Sequence, residues 1–102
     1  MASDNTTLLT ESIERLFPDV DRDRAIAQLL LERAQRQLVR YQAASRRFGT
    51  KYQQDFDSFR RLMITSQPNE ETEQDYFDWE LAETGIIDMK TEIARLRVIL
   101  TA

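Results

Sequence analysis

Residues 79–100 read WELAETGIIDMKTEIARLRVIL. Trp79, Ile86, Ile93 and Leu100 recur every seven residues, and Ala82, Met89 and Leu96 fill the second position of the same repeat. A seven-residue repeat brings both sets onto one face of a helix, the pattern of a coiled-coil seam. Gly85 stands just outside the seam, where a residue without a side chain predicts a close helix crossing. Upstream, Ser66-Gln67-Pro68-Asn69 is the clearest break in the chain, so a long helix is expected from Glu70 to Leu100.

A second stripe precedes that break. Ile26, Leu30, Ala34, Leu38, Tyr41, Ser45 and Phe48 follow spacings of four and three after the capping candidates Asp19 and Asp21. Leu29, Leu31 and Val39 widen it, as neighbours on two sides would require. The helix is expected to end at Gly49, with Thr50 and Gln53 as a capping box for a shorter helix carrying Tyr52, Phe56, Phe59, Leu62 and Met63. One helix running through Gly49 is the alternative, at a cost of about 1 kcal/mol. Thr7 to Phe17, with Leu9, Ile13, Leu16 and Phe17 on one face, is a short helix or a tail that orders only against something else, and Pro18 ends it.

The fold class expected is therefore all-α: a long helical hairpin with an intervening short helix and a coiled-coil-like seam, assembled as a dimeric helical bundle. Residues 1–18 form an N-terminal extension, and residues 19–102 one oligomerisation and partner-binding domain. Two glycines and two prolines in 102 residues leave little turn chemistry for hairpins and exclude an all-β fold. Helices Arg22 to Phe48 and Glu70 to Leu100 would be about 40 and 46 Å long. Two such rods cannot cover each other on all sides, so Trp79, Ala82, Ile86, Met89, Ile93, Leu96 and Leu100 are expected to form the seam of a homo-oligomer.

With no Cys and no His, the chain lacks the means for zinc sites, disulfides, thiol nucleophiles and His-dependent acid–base catalysis. No cofactor motif is present and none is expected. No apolar run approaches the roughly 18 residues of a membrane span, and the N-terminal stretch has no basic start, so a cytoplasmic protein without a membrane partner is expected. The net charge of -4 is unevenly spread, at -4 over residues 1–21, +6 over 22–61 and -6 over 62–102. Arg33, Arg36 and Arg40 are expected to approach carboxylates of the third helix, and an acidic pI of about 4.8 argues against nucleic acid as a ligand of this chain alone.

Two constellations bear on function. Asp75 with Asp78 and Glu80 with Glu83 have the i, i+3 spacing with which all-helical nucleotide pyrophosphatases hold magnesium, but the facing helix offers only Asp23 and Glu32. No metal site is therefore expected. Tyr76-Phe77-Asp78-Trp79 packs three aromatics into four residues, which cannot all point inward. Tyr52, Phe56, Phe59, Tyr76 and Phe77 are the candidate partner-binding residues, since aromatic side chains dominate interface energetics.

The combination of Arg47-Phe48-Gly49, the following Tyr52, Phe56 and Phe59, and Glu73-Gln74-Asp75-Tyr76-Phe77-Asp78-Trp79-Glu80 resembles small helical prokaryotic antitoxins of the TumA type. Their pattern is a Tyr-Gly step with a Phe, then Asp-Tyr-x-x-Trp-Glu, then a leucine-rich end. The resemblance covers Tyr41 to Leu100. The chain departs from it in carrying Phe48 for the usual Tyr and in the segment before Arg22. It implies a non-catalytic protein that self-associates and occludes a cognate toxin. The other classes open at this point are a structural coiled-coil scaffold and a magnesium-dependent pyrophosphatase.

Overall fold

The computed structural model describes residues 2–102, of which the protein folds 87% into four helices and none into strands. They are α1 (Ala2–Leu16), α2 (Arg22–Tyr52), α3 (Phe56–Thr65) and α4 (Glu70–Thr101). The long pair α2 and α4 pack antiparallel, and α3 packs on α4 beside the loop end. The four helices together form an elongated body of 57 × 32 × 18 Å. Its radius of gyration of 19.7 Å exceeds the roughly 13 Å of a compact domain this size, so most residues lie close to the surface.

Three helix starts share one device. The side chains of Asp21, Asp55 and Asn69 accept hydrogen bonds from the backbone N–H of Arg24, Ser58 and Thr72 at 2.8–2.9 Å. Each satisfies a donor that the first helical turn leaves free. α1 begins earlier than Thr7; within it Leu8, Leu9 and Leu16 are exposed and Ile13 is half-buried, as is Phe17 just beyond its end.

The expected break at Gly49 is not there. α2 continues through an ordinary helical Gly49 and stops at Gln53, whose φ of 53° and ψ of 40° put it in the left-handed region. The Thr50–Gln53 capping box does not form, and Asp55 caps α3 instead. The reason is packing: continuing the helix delivers both Phe48 and Tyr52 to the Trp79 ring, and that burial outweighs about 1 kcal/mol of glycine propensity.

The seam between α2 and α4 changes character along the rod. At the open end Ala27, Ala34, Ile93 and Leu96 are buried, with Leu31, Leu38, Met89 and Leu100 packed against them. Midway, the Tyr41 ring lies flat over Gly85, so close that a Cβ at Gly85 would stand 2.6 Å from ring carbons. At the loop end Trp79 and Ala82 are buried. The heptad of α4 is thus covered by α2 of the same chain.

The two glycines make opposite predictions. A Cβ at Gly49 meets nothing nearer than 3.7 Å, so Gly49→Ala should raise stability by ~0.5–1 kcal/mol. Gly85→Ala gains the same propensity but must displace Tyr41, and should lower stability by about 1–3 kcal/mol. Urea midpoints of the two variants should move in opposite directions; a gain at both positions would mean that Tyr41 does not cover Gly85.

Candidate partner-binding site

The loop end of the rod is built around one indole. Trp79 is 2% exposed, and its Nε1–H donates to Ser45 Oγ at 3.0 Å, while Ser45 donates onward to Glu83 Oε1 at 2.7 Å. A buried indole N–H without an acceptor would be costly, and the small hydroxyl of Ser45 supplies one from across the seam. Around the ring, Phe48 stacks at 5.8 Å, Phe56 meets it edge-on at 5.4 Å and Phe59 lies 5.2 Å away. Tyr52 and Phe59 approach to 4.3 Å, and Phe56 stacks on Tyr76 at 5.9 Å.

Four of the five residues read from the sequence as a partner surface are therefore engaged within the chain. Tyr52, Phe56 and Tyr76 are half-buried and Phe59 is 1% exposed, all in contact with one another or with Trp79. Only Phe77 faces outward, 52% exposed beside Tyr76. Phe48 and Ser45 belong to the cluster and were not in the predicted set. Ser45 carried a readable signal, as the one polar residue in the α2 stripe.

A polar strap closes the cluster from outside. Lys51 Nζ donates to Asp75 Oδ2 at 2.6 Å and to Glu71 Oε1 at 3.1 Å, and Tyr52 OH donates to the same Asp75 oxygen at 2.6 Å. The Lys51 and Tyr52 bonds hold the Asp75 carboxyl below the usual carboxylate range. The bonds of Lys51 to Asp75 and then to Glu71 hold it above the usual lysine range, and burial followed by the bond to Asp75 raises Tyr52.

The expected pairing of Arg33, Arg36 and Arg40 with α4 is not what forms. Ala34, Leu38, Tyr41 and Ser45 point at α4, which turns these arginines outward. Among the described residues the only cation of α2 in an ion pair with α4 is Lys51. The carboxylates at i, i+3 spacing on α4 are likewise dispersed. Asp75 faces Lys51 and Tyr52, Asp78 accepts from Gln74, Glu80 from Tyr76 and Glu83 from Ser45. Among the described residues no group of three or more acidic side chains is placed to hold an ion. No helix among them is long and apolar enough to cross a membrane.

Comparison with known proteins finds no matching family model, no matching characterised protein and no matching solved structure. The resemblance to TumA-type antitoxins rests on the quoted residues alone.

The strap has a pH signature. Asp75 is depressed in the folded state, so the stability it adds is present at neutral pH and disappears as pH falls through its folded value, below about pH 4. Lys51 has the opposite sign, and its share is lost only above about pH 10. Asp75→Asn should therefore melt below the wild type at pH 7 and converge with it as the pH falls into the acid range and Asp75 takes up its proton. Melting curves offset equally at every pH would remove Asp75 from the acid limb.

Proposed function

We propose that this chain is a non-catalytic binding protein which self-associates and neutralises a partner by covering its working surface, in the manner of an antitoxin. The observation that carries the reading is the outward-facing apolar surface. Among the described residues thirteen large apolar side chains are 44–74% exposed on a rod whose own core is slender. Isolated exposed leucines are ordinary, but the two helices that enclose Trp79 each present large apolar side chains outward, Phe77 on α4 at 52% and Leu62 and Ile64 on α3 at 50% and 73% exposed.

Acidic side chains crowd the start of α4. Glu70, Glu71 and Glu73 occupy the first turn of α4, with Asp78 following Phe77. A partner with a basic face, such as an RNA-cleaving toxin, would meet complementary charge from these acids and an apolar anchor in Phe77. Occlusion needs no reacting group from this chain, only a surface held in place. The aromatic cluster beneath Phe77 supplies that rigidity, because α3 and α4 cannot move apart without exposing Phe59 and Trp79.

Co-expression with the product of an adjacent reading frame tests this. The neighbouring product should arrest growth alone and not with this chain, and Phe77→Asp with Leu62→Asp should abolish the rescue while leaving helicity unchanged. A harmless neighbouring product, or a rescue indifferent to both substitutions, would contradict the reading.

A further inference from the structure

The unpaired arginines of α2 lie on a flank that also carries acid, and the two alternate in a self-complementary way. On α2, Arg33, Arg40 and Arg47 fall in one line with Leu30, at steps of three or seven residues. All three arginines are exposed and, among the described residues, none is in an ion pair. On α4, Asp88, Glu92 and Ile99 line the same flank at steps of four and seven residues, and Asp78, ten residues before Asp88, lies closer to the seam on that side. The groove of about 230 Å³ between Leu30 and Leu96, with Ile26 and Ile99 at its edges and Asp23 at its rim, marks the flank's open end.

The heights along the rod are given by contacts across the seam. Lys51 is level with Asp75, Ser45 lies between Trp79 and Glu83, Tyr41 is level with Gly85, and Leu30 is level with Leu96. On that scale Arg47 and Arg33 fall within one residue of Asp78 and Glu92, and Arg40 within two residues, about 3 Å, of Asp88. Within one chain the partners of each pair sit side by side on different helices and do not meet.

We infer that this flank receives a second copy of the chain, related by a two-fold axis running along the rod. That operation lays α2 over the partner's α4 at unchanged height. Every Arg33, Arg40 and Arg47 then faces a carboxylate line, twice over, and Leu30 and Ile99, 51% and 44% exposed, meet across the open end. Among the described residues the intrachain claims on these groups are weak, an exposed Glu92–Arg95 contact of 3.6 Å and an exposed hydrogen bond of 3.0 Å from the Gln74 amide to Asp78. A phosphate backbone fits less well, because the carboxylates at matching heights would repel it. The inference rests on the self-association in the proposed function and not on the toxin.

Charge exchange tests it. By light scattering at tens of micromolar, the wild type should run at twice the 12.0 kDa chain mass. Arg33→Glu with Arg40→Glu should run at the chain mass, as should Asp88→Lys with Glu92→Lys, each with wild-type helicity. An equimolar mixture of the two variants should return to twice the chain mass, since both halves of the symmetric contact become complementary again. A dimeric wild type whose variants stay dimeric would overturn the flank and leave self-association standing. A monomeric wild type would overturn both, and a monomer whose arginine variant loses affinity for single-stranded RNA would assign the arginines to nucleic acid instead.

Discussion

Burial of the Trp79 indole is the constraint on which the rest of the structure depends. A rod this slender has few places to hide a large side chain, and this one is enclosed only because three helices meet around it. α2 supplies Phe48, Tyr52 and the Ser45 acceptor, and α3 supplies Phe56 and Phe59. Each segment is marginal alone: α3 has ten residues, and short helices in water draw their stability from packing. The aromatic end thus sets the register of the hairpin, and the aliphatic end follows from it along the seam.

That register explains the small residues of the core. Ala27, Ala34, Ala82 and Gly85 let the axes approach, and the Tyr41 ring fills the space Gly85 leaves. Close approach by small residues buries little apolar area per turn, roughly 25 cal/mol for each Å² removed from water. The long helices therefore owe much of their stability to length and to the aromatic end, and their outer faces remain apolar enough to meet other molecules. Architecture and binding share this one cause.

Much of the fold is legible in the sequence because the helices are long and their periods clean. The heptad from Trp79 to Leu100 identifies the face of α4 that is covered, and Asp21 and the break before Glu70 place two helix starts. What the heptad cannot tell is whose helix covers it, since α2 of the same chain and a second copy present the same kind of stripe. Gly49 misleads for a related reason: its local preference to stop a helix competes with aromatic contacts from α4, some thirty residues away in sequence. The candidate site suffers likewise, because Tyr52, Phe56, Phe59 and Tyr76 are individually as suited to a partner as to each other. Only Phe77, adjacent to Tyr76 and turned by a further 100°, had to face elsewhere.

The central claim is that the heptad of α4 closes on α2 of its own chain. Because the chain has no cysteine, spin labels can be placed singly at Arg22→Cys and Thr101→Cys, and the distance between them measured after dilution into unlabelled protein. A closed hairpin brings these helix ends within about two helix diameters, roughly 20 Å, and that distance persists on dilution. Loss of the short distance on dilution, or a separation near the full length of a helix, would show that the seam is satisfied between chains and would contradict this account.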